Sequence, residues 1–115
     1  QDAVQSYNTA IRWGHVQKAA RYVQDKDRGA FIASKRRAYK RLRVHEVELR
    51  SVNLGAKQER ARVLVAMAFS VAGNPVTRHH TIEQVWRHKR SGWVLVKRRR
   101  VKASKPAPPT PGDLY

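Results

Sequence analysis

Two short apolar stretches near the C-terminal end, each with a tryptophan, constrain the fold of this chain more than any other feature. Residues 84–86 (Gln-Val-Trp) and 92–96 (Gly-Trp-Val-Leu-Val) flank a polar segment at 87–91 that can form a turn. Because side chains alternate between the faces of a strand, each arm of such a hairpin presents a large aromatic surface across the sheet. In a chain of 115 residues only the helical N-terminal part can cover that surface. We therefore predict an α+β fold in which N-terminal helices pack in the concave face of a curved antiparallel sheet.

The composition fits a folded domain with an unusual charge. Hydrophobic residues make up 41% of the chain, which is near the globular norm. There is no cysteine, which excludes disulfides, thiolate metal sites and cysteine nucleophiles. Lysine and arginine number 25 against 8 aspartate and glutamate, giving a formal net charge of +17. Such a field favours polyanions as partners, through an attraction that is largely sequence-independent and sensitive to salt.

Apolar residues in the first third recur with the period of a helix. They predict helices over residues 2–13, 15–23 and 28–41, with Gly14 ending the first and a polar break at 25–27 before the third. After residue 43 the period changes to that of a strand. The pattern predicts four strands, at 44–52, 62–71, 76–87 and 93–101.

The C-terminal residues differ in composition from the rest of the chain. Residues 103–115 are rich in proline, which bars regular structure, so we expect a disordered or polyproline-like tail. The folded domain is predicted to occupy residues 1–102.

Several motifs give the chain a family resemblance. The order of helices and long antiparallel strands, ending in a hairpin with two tryptophans, resembles the nuclear-transport-factor-2-like (cystatin-like, SnoaL-like) superfamily, in particular its small bacterial envelope proteins. The residues that carry the resemblance are Tyr7, Ile11, Trp13 and Gly14 in the first helix, and Gln84, Trp86, Gly92 and Trp93 in the closing strands. The resemblance implies a cone-shaped domain with an internal pocket and a location in the cell envelope or periplasm. Residues 1–3 do not begin a signal peptide, so we expect any export sequence to be absent from this chain.

The pocket expected from this fold would be lined by aromatic and polar side chains from both layers. The predicted lining residues are Tyr22, Phe31, Tyr39, Met67, Phe69, His80, Gln84, Trp86 and Trp93. Related enzymes isomerise or dehydrate small molecules with an acid–base residue in the cone, for which His80 is the candidate here and His45 a further inward-pointing histidine. Neighbouring residues in a strand point to opposite faces, so His79 and His80 cannot chelate a metal together, and His79 and Glu83 should face solvent or a partner. No metal site and no cofactor are expected.

Two segments without acids could form a polyanion-binding surface. The predicted binding residues are Lys35, Arg36, Arg37, Lys40 and Arg41 in the third helix, with Arg98, Arg99 and Arg100 in the last strand. Neither segment interleaves the exposed aromatics that dedicated nucleic-acid readers use for stacking.

These observations leave three functions open. The first is a non-catalytic module that binds a small ligand or another protein. The second is a polyanion-binding module directed at nucleic acid or an anionic membrane, and the third is an isomerase- or dehydratase-like enzyme. We also expect a homodimer through the outer sheet face, where the apolar residues are Leu64, Ala66, Ala68, Val85, Val94 and Val96.

Overall fold

A computed structural model of the protein describes residues 2–101. The tail predicted at 103–115 lies outside these residues, as does the predicted domain boundary at 102. None of the helices described is long and apolar enough to cross a bilayer.

The first helix, α1, spans Asp2–Trp13, as the sequence predicts. Val4, Tyr7 and Ile11 form its buried stripe. Gly14 follows with a φ of 71°, a left-handed conformation that glycine adopts without steric cost and that commonly ends a helix.

The next two helices differ from the prediction at their ends. Helix α2 spans only Val16–Ala20, because the chain leaves the helix to pair with the last strand: the Leu95 N–H donates to the Tyr22 carbonyl at 2.7 Å. Helix α3 spans Asp25–Arg41, so the polar break predicted at 25–27 is wrong. Acidic side chains there occupy the first turn, where the helix dipole favours negative charge, and Asp25 also pairs with Arg28 at 3.0 Å.

The strands form one four-stranded antiparallel sheet in the order β1-β2-β3-β4. Their bounds are β1 Leu42–Leu54, β2 Arg60–Val71, β3 Asn74–Lys89 and β4 Gly92–Arg100. The helices pack against one face of the sheet, with α1 contacting β1 and β4. The predicted α+β class, with N-terminal helices on an antiparallel sheet, is confirmed.

The face of the sheet that meets the helices, called here the inner face, carries the core. Alternate residues of β2 lie on it, as predicted, from Val63 to Phe69, and those of β3 from His80 to Trp86. Trp86 is 0% exposed and makes an edge-to-face contact with Tyr7, with 5.6 Å between the ring centroids. The closing tryptophan of β3 therefore fulfils the structural role inferred for it.

Within residues 2–101 the sheet has four register shifts, and two of them change the faces of residues considered as site candidates. In β1 the register shifts between Val44 and Glu46, so His45 is exposed and bonds to the Ser70 hydroxyl at 2.7 Å. The prediction that His45 points into the fold is therefore wrong.

The second of these shifts is a bulge in β4. Leu95 pairs with Trp86 and Lys97 pairs with Val85, which leaves Val96 as the extra residue. A bulge of this kind reverses the alternation of side chains beyond it. As a result Arg98, opposite Gln84, and Arg100, opposite Ile82, share the inner face.

Candidate functional site

The centre of the inner face is filled by packed side chains. Among the nine residues predicted to line a pocket, Phe31, Met67, Phe69 and Trp86 belong to the buried hydrophobic core. Tyr22, Tyr39 and Trp93 are partly buried and pack against that core. The cavities found near these residues lie at the margins of the fold, with Tyr22 and Trp93 lining one and Tyr39 another.

Gln84 is occupied by a buried hydrogen-bond network. Its amide donates to Asn8 Oδ1 at 2.8 Å, while its carbonyl oxygen accepts from Asn8 Nδ2 at 3.2 Å and from Trp86 Nε1 at 3.1 Å. Gln84 and Trp86 can interact in this way because residues two apart in a strand share a face. Asn8 is a partner that the sequence analysis missed. The Gln-x-Trp signature thus ties β3 to α1, and it leaves Gln84 little capacity to bind a ligand.

Tyr39 is likewise engaged in holding two helices together. Its hydroxyl donates to the carbonyl of Ile11, and its ring lies 3.8 Å from the position that a side chain at Gly14 would occupy. Burial raises the pKa of Tyr39 above its ordinary value, so the group remains a neutral donor.

His80 is buried on the inner face, with its ring edge-to-face against Phe69 at 4.9 Å between centroids. Burial, followed by the charges of Arg100 and Arg78, lowers its pKa from 6.5 to about 4. The imidazole is therefore neutral at pH 7 and a weak base. Within residues 2–101 no group of three or more histidine and acidic side chains is arranged to hold a metal ion.

Three cations lie at the margin of the core: two near the Phe31 ring and one close enough to His80 to act on its pKa. We call Lys35, Arg98 and Arg100 the basic cluster. Lys35 lies on the buried stripe of α3 with Phe31 and Ala38 and is only 2% exposed. Its Nζ lies 5.7 Å from the centre of the Phe31 ring, and the guanidinium carbon of Arg98 lies 4.8 Å from the same ring. Both contacts fall within the range in which a cation is attracted to an aromatic face.

Tyr7 joins the basic cluster to the core. Burial raises the pKa of its phenol, and the charge and hydrogen bond of Arg98 oppose that rise. Because the phenol remains neutral, it gives Arg98 a polar contact without neutralising its charge.

No aspartate or glutamate of the described residues lies on the inner face of β3 or β4. The only acid of these strands, Glu83, lies on the outer face, where it accepts from Arg62 at 2.9 Å and from Arg99 at 2.7 Å. The hydrogen bond from Arg99 is the main reason why its pKa is lowered. Glu83 is 6% exposed, so the expectation that it would face solvent or a partner is wrong.

A groove lies between α3 and β4 and includes Arg98 of the basic cluster. Its volume is about 460 Å³, and we call it the α3–β4 groove. The residues that line it are Val23, Asp27, Ala30, Phe31, Ser34, Leu95, Val96, Lys97 and Arg98. Apolar side chains and the β4 edge form one part of the groove, and Arg98 supplies positive charge. Among residues 2–101, Asp27 in the first turn of α3 is the one acidic residue that lines it.

The residues predicted to bind polyanions therefore do not form one surface. Lys35 and Arg98 lie near the same Phe31 ring, and Arg100 shares the inner face with Arg98. Arg99 is paired with Glu83 on the outer face. The remaining four residues are exposed on α3: Arg36, Arg37, Lys40 and Arg41.

The outer sheet face gives a mixed result for the expected dimer. Ala68 is buried within the single chain, and the other apolar residues of this face are half-buried: Leu64, Ala66, Val85, Val94 and Val96. The large hydrophobic side chains that are exposed lie elsewhere, at Trp13, Val52, Leu54 and Val76. The homodimer remains a prediction.

Comparison with known proteins supports the fold. No protein-family model and no curated protein matches the chain. A SEC-C motif containing protein from Rhodopseudomonas palustris has a similar structure, with a TM-score of 0.67 and 15% identity over 82% of this chain and 72% of the other. The intermembrane space region of the chloroplast protein ARC6 is also similar, with a TM-score of 0.62 and 12% identity over 89% of this chain and 93% of that region. At these identities the likeness concerns the fold alone.

Proposed function

We propose that this chain is a non-catalytic binding module that holds an anionic group of its partner at the basic cluster. The observation that carries the proposal is the bulge at Val96, which turns Arg98 and Arg100 onto the inner face beside the buried Lys35. This combines the small-ligand or protein-interaction function with the polyanion function considered from the sequence, and it narrows the binding residues to three.

The physical basis is the environment of the two arginines. Both are partly withdrawn from solvent, and no carboxylate of residues 2–101 pairs with either. Cations in such surroundings are usually paired, because removing charge from water is costly. A carboxylate or phosphate entering beside Arg98 would gain charge-assisted hydrogen bonds in a medium that screens charge less than water does.

A catalytic role has less support. His80 is held neutral with a low pKa, and Gln84 is committed to Asn8 and Trp86. The interior that would enclose a substrate is occupied by Phe69, Trp86 and their neighbours.

Membership of the nuclear-transport-factor-2-like superfamily, and with it an envelope location, remains part of the proposal. It is supported by helices packed on one face of an antiparallel sheet and by the Gln84–Trp86 signature, which has a structural role here.

The test is a comparison of two double variants that lose the same charge. Arg98→Gln with Arg100→Gln removes inner cations, whereas Arg87→Gln with Arg90→Gln removes exposed cations of the same hairpin. Binding of a labelled oligonucleotide, a short polyglutamate peptide and anionic vesicles is measured up to about 150 mM salt, where long-range attraction is screened beyond about 8 Å.

We expect the inner variant to lower the affinity for at least one of these probes by about tenfold or more, as the loss of a charged hydrogen bond predicts. The control should lower it by no more than about threefold. Equal losses in the two variants for every probe would show that the net charge binds without a site.

A further inference from the structure

Beyond Leu95, the edge of β4 that faces away from β3 has no backbone partner among residues 2–101. At Leu95 that edge already has a partner, since the chain at Tyr22 and Val23 pairs with it as a short parallel bridge. For Val96–Arg100, no backbone hydrogen bond within residues 2–101 is made outside the pairing with β3. The edge that lies along the α3–β4 groove is therefore a place where an extended segment can continue the sheet.

The direction of the amides supports this use. The Val101 N–H donates to Thr81 of β3 at 2.8 Å. Because N–H groups alternate in direction along a strand, those of Arg98 and Arg100 point away from β3, towards the free edge. The same two residues thus present backbone donors at the edge and guanidinium groups on the inner face.

Charge selects among the segments that could pair there. Lys97, Arg98, Arg99 and Arg100 follow one another along β4, so pairing with β4 of a second copy would place like charges opposite one another. An acidic strand would instead bring carboxylates to Arg98 and Arg100, which have no acidic partner within residues 2–101. The groove floor, with Phe31, Leu95 and Val96, accommodates apolar side chains between the acidic ones.

Nucleic acid fits this groove less well. Recognition of a single strand relies on aromatic side chains that stack with bases. Phe31 is the aromatic residue of the groove, but it is buried and its ring is in contact with Arg98.

We propose that the partner is an extended acidic peptide segment that adds a strand to the free edge of β4 and places carboxylates at the basic cluster. Main-chain hydrogen bonds supply affinity in such complexes, and alternate side chains supply specificity. This inference rests on the proposed anion binding and adds the class of partner and its geometry.

The probe is a short capped peptide that alternates glutamate with valine, measured against a peptide that alternates lysine with valine. Two N-methylated derivatives of the acidic peptide complete the set, one methylated at the glutamate amides and the other at the valine amides. Because successive amides point to opposite edges of a strand, each derivative has one edge that cannot donate hydrogen bonds. We expect the acidic peptide to bind and the lysine peptide not to bind. One methylated derivative should lose at least about tenfold in affinity while the other retains it, because a paired strand uses only one of its edges.

Amide hydrogen exchange in the protein gives an independent readout. On addition of the acidic peptide, exchange at Arg98 and Arg100 should slow by at least about tenfold, since hydrogen-bonded amides exchange only when the structure opens. Arg87, near the C-terminal end of β3, serves as the unaffected reference.

The outcomes separate the two proposals. If the acidic peptide binds, depends on Arg98 and Arg100, but tolerates methylation of either edge, strand addition is wrong while the anion site stands. If the peptide binds equally well to the Arg98→Gln, Arg100→Gln variant, both proposals fail. A peptide that does not bind, beside an oligonucleotide that does and depends on these arginines, also overturns strand addition.

Discussion

On the outer face of the β3–β4 pair, Arg99 ends on the carboxylate of Glu83. On the inner face its neighbour Arg98 ends on the ring of Phe31. The two side chains leave the same strand one residue apart, yet one is neutralised within the chain and the other is placed beside further cations. The comparison shows that the number of charges in this segment says less about binding than the face on which each charge lies.

The difference has two local causes. Glu83 lies opposite Arg99 in the register of the two strands and also accepts from Arg62, so the outer charges form a closed set across three strands. The inner arginines face Gln84 and Ile82, which offer no negative charge. The outer charges neutralise one another and link three strands of the sheet, whereas the two inner arginines have no carboxylate partner within residues 2–101 and could bind one from another molecule.

The largest expected effect tests whether the inner face is a packed core. Trp86→Ala should lower the free energy of unfolding by about 3–5 kcal/mol, because it leaves a cavity between Tyr7 and the sheet. Trp13→Ala is the matched control: that side chain is 62% exposed, and the loss should be within about 0.5 kcal/mol. Urea unfolding of both variants gives the comparison, and similar losses would contradict the core described here.

Much of this inner face could be predicted from the sequence. The period of two in β2 and β3 placed Val63 to Phe69 and His80 to Trp86 correctly, because burial of one face imposes strict alternation. The glycine that ends α1 was also recognisable from its position. The predicted start of α3 was three residues too late, because a segment with two aspartates is typical both of a polar linker and of the first turn of a helix.

The basic cluster could not be predicted in the same way. It depends on one extra residue in β4, and nothing in Leu95-Val96-Lys97 distinguishes a bulge from a regular strand. Without the bulge, alternation from Leu95 would place Lys97 and Arg99 inwards and leave Arg98 and Arg100 outside. The cluster also needs Lys35 from a distant helix, where its position on the Phe31–Ala38 stripe only acquires meaning once α3 is docked.

Deletion of Val96 together with Lys97 should exchange the two faces. Arg98 would then follow Leu95 directly and lie opposite Val85, so that Arg98 and Arg100 turn outwards and Arg99 turns inwards. We expect the affinity for an anionic probe to fall by about tenfold or more, whereas deletion of Val96 alone removes the bulge but keeps Arg98 opposite Gln84 and should preserve binding.

The measurements for both deletion variants are urea unfolding and binding of the polyglutamate peptide. Val94→Ala, on the outer face of the same strand before the bulge, controls for a general weakening of β4. A double-deletion variant that binds as tightly as the parent chain would show that the face of the arginines is immaterial.

The smallest effect concerns the pH dependence that burial, together with the charges of Arg100 and Arg78, imposes on His80. Its pKa is lowered to about 4 in the folded protein, so between pH 6.5 and about pH 4 the His80 side chain is protonated in the unfolded chain but neutral in the folded one. The stability associated with neutral His80 is therefore complete above pH 6.5 and is lost as the pH falls through this window. Across this window, the free energy of unfolding should fall by about 1 kcal/mol less in His80→Gln than in the parent chain. The expected difference is this small because Arg100 and Arg78 remain partly solvated, so water screens their charges. Urea unfolding at the two ends of the window measures this difference, with the exposed outer-face variant His79→Gln as the control. An equal change in both variants would mean that burial and the neighbouring cations do not keep His80 neutral.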